Sequence, residues 1–131
     1  MNIHEEFYSQ TKELILELLQ FLDQLQDTVT ANMIAAEVLR NAVKVGRAYL
    51  DLQRPKASFQ DDLRFYDSLQ ASLRQIKFWI ETLIDARKCS FQQGAYLWQE
   101  LVRIQNELKE HLASFPSGEA FREEPIQGVH S

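Results

Sequence analysis

One cysteine, three prolines and four glycines in 131 residues leave little with which to build a stapled, turn-rich or phosphate-cradling protein. Cys89 has no second cysteine to pair with, so an intramolecular disulfide is excluded. No apolar run approaches the roughly 20 residues that span a bilayer, and the first residues lack the basic start and apolar core of a secretory leader. A cytoplasmic chain that does not span a membrane is therefore expected. Gly-rich phosphate loops, paired zinc ligands and a nucleophile elbow are all missing. Neither His4 nor His111 follows a glutamate by three residues, the spacing that di-iron bundles use. Glu107 precedes His111 by four, the spacing of an ordinary helix-surface pair. A thiol flanked by Arg87 and Lys88 can have a lowered pKa, but no base or oxyanion donor is identifiable beside Cys89. The expectation is a protein without catalytic residues, metal or cofactor; an enzyme using His111 with Glu107 requires both to share a cleft.

What the chain does have is helical periodicity and an uneven distribution of charge. Its length suits one domain able to bury about two thirds of its unfolded surface. The net charge is −5, which argues against a surface that is basic throughout. Residues 1–27 carry six carboxylates (Glu5, Glu6, Glu13, Glu17, Asp23, Asp27) against Lys12, whereas residues 28–57 carry Arg40, Lys44, Arg47, Arg54 and Lys56 against Glu37 and Asp51. The two segments are of opposite sign.

Phe7, Thr11, Leu14, Leu18, Phe21 and Leu25 recur at intervals of four and three, a seam on one helix face that Ile15, Leu19 and Leu22 widen to bundle-core breadth. The next segment, about 29 to 54, sets Val38, Ala42, Val45, Tyr49 and Leu52 beside a second row of Leu39, Val43, Gly46 and Leu50, which predicts burial on two sides. Gly46 costs about 1 kcal/mol relative to alanine inside a helix, and it predicts a close helix contact. Pro55 and a capping box of Ser58 with Asp61 open a third helix with the seam Leu69, Leu73, Ile76, Ile80 and Leu83. Phe78 and Trp79 fall off that seam and predict a second buried surface, within the bundle or between subunits. Ser90 with Gln93 opens a fourth helix, whose row Leu97, Leu101, Ile104, Leu108 and Phe115 includes His111. The predicted fold is all-α: an antiparallel up-down four-helix bundle over residues 1–115, with an irregular tail over 116–131 in which Phe121, Ile126 and Val129 could dock.

Glu37, Arg40, Lys44, Arg47, Asp51 and Arg54 line up along one face of the second helix. One reading is a solvated face, with Glu37–Arg40, Arg47–Asp51 and Asp51–Arg54 pairing locally. The other makes Arg40, Lys44, Arg47, Arg54 and Lys56 a ridge that meets nucleic acid or the acidic first helix of another molecule, with multivalency if the chain assembles as a ring.

The run "RNAVKVGRAYLDLQRP", then "FQDDLRFYDSLQASLRQIKFWIETLIDA" and a closing amphipathic helix, resembles a family of small four-helix-bundle proteins. The family is first known from intervening sequences in bacterial large ribosomal RNA genes and includes the accessory variability determinant of diversity-generating retroelements. The resemblance covers about residues 30 to 112. It is carried most clearly by Arg40-x-Ala42-Val43-x-Val45 and by Phe78-Trp79-Ile80 with Leu83. Lys44, Ala48 and Asp51 stand where many relatives carry serine, asparagine and glutamate. The resemblance implies a ring assembly, typically a homopentamer, and for the retroelement branch a basic accessory subunit that binds the reverse transcriptase and its RNA. On that reading Arg40, Lys44, Arg47, Arg54 and Lys56 contact phosphates, Phe78 and Trp79 form the subunit interface, and no small-molecule substrate, metal or cofactor is used. The alternative is a protein-interaction or scaffolding module without nucleic-acid binding.

Overall fold

A computed structural model describes the backbone of residues 3–52 and 59–113 and the side chains of residues 6–51 and 63–113. Four helices follow in order: α1 (Ile3–Asp23), α2 (Val29–Leu52), α3 (Phe59–Asp85) and α4 (Phe91–Ala113). The predicted Ser58–Asp61 box, Phe115 and the 116–131 tail lie outside the described residues.

The seams meet as their spacing requires. Phe7, Leu14, Leu18 and Phe21 from α1 join Val38, Ala42, Val45 and Tyr49 from α2, Leu69, Leu73, Ile76, Ile80 and Leu83 from α3, and Leu97, Leu101, Ile104 and Leu108 from α4 in one buried core. Contacts run between helices adjacent in sequence and between α1 and α4, so the bundle closes on itself. The α2–α3 pair packs most extensively and the α1–α4 pair least. Phe7 meets His111 edge-on at one end of the bundle, while Gln93 Nε2 donates to Gln24 Oε1 at the other (2.8 Å), which sets α1 antiparallel to α4. Tyr8 beside Tyr49, with Ile15 opposite Gly46, sets α1 antiparallel to α2.

Side chains and turn geometry satisfy the helix ends. Thr28 Oγ1 accepts from the Ala31 amide at the start of α2 (3.2 Å), and Ser90 Oγ accepts from the Gln93 amide at the start of α4 (3.3 Å). The Gln93 side chain is used on Gln24 across the bundle, so the capping box is half formed and half converted into an interhelical bond. Helix α3 ends in a Schellman motif: the Lys88 amide donates to the Leu83 carbonyl (2.9 Å) and the Arg87 amide to that of Ile84 (3.0 Å). Arg87 takes the left-handed position at φ 57°, where glycine is usual.

Two expectations change. Leu39, Val43 and Leu50 are exposed instead of forming a second buried row, because α1 meets α2 to one side of them. Gly46 also has room: an added Cβ would sit 3.6 Å from Ile15 Cδ1, an ordinary van der Waals contact. The crowded glycine is Gly94, buried in the first turns of α4, where a Cβ would lie 2.6 Å from Ile84 Cγ1 and 3.2 Å from Cys89 Sγ.

Candidate functional site

Helix α2 carries two exposed rows side by side. Its core face, Val38, Ala42, Val45 and Tyr49, is turned inward, which leaves the rest of the circumference for the basic residues and for the second apolar row. Arg40 NH1 donates to Glu37 Oε2 at 2.6 Å one turn away, so this cation is neutralised locally, as a solvated face requires. Lys44 and Arg47 are exposed, and no ion pair engages either among the described residues. Asp51, the expected partner of Arg47, is engaged in an interaction of its own. Arg54 and Lys56 lie outside the described residues.

Among the described residues no ion pair joins α1 to Lys44 or Arg47. Glu17 faces α4, where it accepts a hydrogen bond from the Tyr96 hydroxyl (3.0 Å). That bond, with burial and the carboxylates of Glu17, Glu100 and Glu13, holds the Tyr96 phenol above its ordinary pKa. On α4, Arg103 sits between Glu100 (2.5 Å) and Glu107 (2.8 Å), and its guanidinium pKa is raised by the hydrogen bond to Glu100 and then the one to Glu107. Carboxylates of α1 and α4 thus gather around Tyr96, away from Lys44 and Arg47 on α2.

Beside the ridge, Leu39, Val43 and Leu50 are exposed on α2, as are Leu16 and Leu19 on α1. Most of the exposed large apolar side chains belong to α1 and α2, with Phe78, Phe91 and Tyr96 on the other two helices. An apolar face of this kind, bordered by charge, is the form of a protein-interaction surface. The sequence displayed this row but gave no means of telling coverage by the same chain from coverage by another. Phe78 is exposed on α3 and stands edge-on to Trp79, ring centroids 5.0 Å apart, while Trp79 is half-buried and packs against the core.

A groove of about 360 Å³ runs between α2 and α3 under the ridge, lined by Glu37, Arg40, Asn41 and Lys44 on one side and Ser68, Ala71, Ser72 and Gln75 on the other. The α3 residues carry no motif, and sequence spacing alone could not bring them to Lys44.

Glu107 accepts from Arg103, whereas the His111 ring packs against Phe7 (5.4 Å) and Tyr66 (5.8 Å) at the end of the core. Burial raises the Cys89 thiol pKa, opposite to the lowering that its cationic neighbours suggested. Among the described residues no group of three or more His, Cys, Asp or Glu could hold a metal ion, and no helix is long and apolar enough to cross a membrane. No protein-family model, curated protein or solved structure matches the chain.

Proposed function

We propose that this protein is a non-enzymatic accessory subunit, a cytoplasmic homo-oligomer of four-helix bundles that holds a reverse transcriptase and its RNA, as in a diversity-generating retroelement. The observation that carries the reading is the pair of uncompensated cations, Lys44 and Arg47, exposed on the same helix as an exposed apolar row. Cations free of local carboxylates release counterions when they meet phosphate, the main source of sequence-independent nucleic-acid affinity. Apolar surface on α1 and α2 gives copies of the chain, or a protein partner, something to cover. Assembly as a ring, a pentamer by the family resemblance, repeats a modest ridge and converts weak phosphate contacts into avid ones. Arg54 and Lys56 extend the ridge in sequence, and Phe78 with Trp79 supplies a further aromatic contact between subunits. The function is positioning, with the chemistry left to the polymerase.

The test is retention of single-stranded RNA on filters at near-physiological salt by the purified protein and by a Lys44→Glu, Arg47→Glu variant. Retention that the charge reversal abolishes is the expected result; no retention by the unmodified protein defeats the nucleic-acid part.

One observation favours a second reading, a protein-interaction module without nucleic acid: the Glu37–Arg40 pair withdraws a cation from the ridge in a chain of net charge −5. That module assembles and leaves RNA unbound.

A further inference from the structure

Ser72 is only 4 % exposed, lines the groove between α2 and α3, and has no hydrogen bond to its hydroxyl among the described residues. A serine or threonine inside a helix commonly bonds back to the carbonyl four residues earlier. Thr82 on the same helix does so, donating to the Phe78 carbonyl at 2.9 Å. The Ser72 hydroxyl is not among the side-chain atoms that are sealed from solvent without a partner, so it opens onto the groove. It is a donor and acceptor aimed into a groove that already holds Lys44, the Ser68 hydroxyl and the Gln75 amide. Small residues at 68, 71 and 72 also let α3 approach α2, and packing accounts for Ala71; it does not account for a hydroxyl without a partner at 72.

Across the groove, Asn41 is also buried, and its amide nitrogen is used on the Glu37 carbonyl (2.9 Å). Arg40 is tied to Glu37 at the same end. Besides two acceptors, the Asn41 side-chain oxygen and the second Glu37 oxygen, the uncommitted groups are one ammonium, two hydroxyls and one carboxamide. All can donate, and one carries a full positive charge. The ligand that answers this set is an anion rich in acceptor oxygens, and serine, glutamine and lysine are among the side chains that hold phosphate oxygens in nucleic-acid complexes. The groove is open and runs between two helices, which suits a link in a chain better than an enclosed small molecule.

We propose that the α2–α3 groove is a phosphate subsite that seats one phosphodiester of an RNA strand, with Lys44 supplying the charge and Ser68, Ser72 and Gln75 the directed hydrogen bonds. The proposal rests on the reading that the α2 ridge meets RNA, and it adds a second wall to the site from α3. The ridge steers the strand; the groove fixes its register.

Two variants separate the roles. Ser68→Ala with Ser72→Ala removes neutral donors, so RNA affinity measured by fluorescence anisotropy falls about tenfold while its dependence on salt keeps the same slope. The thermal midpoint holds, since neither hydroxyl makes a hydrogen bond among the described residues. Lys44→Gln lowers affinity and reduces the slope by about one. Amide spectra of the labelled protein titrated with inorganic pyrophosphate supply an independent arm, with shifts expected at Ser68, Ser72 and Gln75. Wild-type RNA affinity in the double serine variant overturns the subsite and leaves the proposed function standing. RNA that fails to bind, together with pyrophosphate shifts that vanish in Ser72→Ala, upholds phosphate chemistry but overturns RNA as its source and the proposed function with it. Absence of both responses overturns the inference entirely.

Discussion

Replacing Val43 and Leu50 together by glutamine tests whether the exposed row on α2 is an assembly surface. Val43 is 48 % exposed and Leu50 59 %, so about half of each side chain remains to be covered. Full burial of valine or leucine is worth about 1.5 to 3 kcal/mol, which leaves about 1 kcal/mol per side chain for an interface to gain. Two substitutions then cost each copy about 2 kcal/mol of association free energy, a weakening of about 30-fold in Kd. Glutamine keeps the ridge charge unchanged, where glutamate at 43 would sit one turn from Arg47. Both positions face outward and glutamine is a good helix former, so the isolated bundle should unfold within about 0.5 kcal/mol of the unmodified protein. Light scattering across a concentration series reads the mass, and thermal unfolding reads the fold. A monomeric unmodified protein, or a variant that assembles unchanged, would refute the reasoning.

The other predictions concern the fold and the reactivity of Cys89. Gly46→Ala should stabilise the isolated bundle by about 0.5 to 1 kcal/mol, since the methyl group meets only Ile15 at an ordinary distance; the same change at Gly94 drives a Cβ into Ile84 and should destabilise by about 1 to 2 kcal/mol after the propensity gain is subtracted. Denaturant unfolding of the pair checks the opposite signs. Arg87→Gly should raise stability by up to about 1 kcal/mol by relieving the left-handed backbone at φ 57°, and a loss in the same assay would count against the Schellman geometry. Because burial raises the Cys89 pKa, its alkylation by iodoacetamide at neutral pH should be slower than that of an unperturbed small thiol. The rate should climb as pH rises through a midpoint above the ordinary thiol value; a fast plateau at neutral pH would revive the nucleophile.

The core was legible because four seams with a helical period had to face one another, and each described seam residue from Phe7 to Leu108 is buried or half-buried except Leu19, at the widened edge of the first, which is exposed. The outer row was legible as a row and misjudged in its burial: Leu39, Val43 and Leu50 have the same hydropathy whether a helix of the same chain or of a partner covers them. Gly46 drew attention because a mid-helix glycine carries a propensity cost, but the tight packing falls at Gly94. Its crowding comes from the short 86–90 connection that presses Ile84 and Cys89 onto α4, which no local pattern reveals. The ridge could be read from spacing, yet its charge state could not. Only the structure separates Arg40, paired with Glu37, from Lys44 and Arg47. Ser68 and Ser72 had no signal of their own, since their meaning depends on which helix α3 packs against.

Sedimentation velocity with separate detection of protein and labelled single-stranded RNA tests assembly and RNA binding in one run. The account predicts that at near-physiological salt the label travels with a species containing several copies of the chain, and that Lys44→Glu with Arg47→Glu releases the label without dispersing those copies. Label sedimenting alone beside a monomeric protein would contradict it.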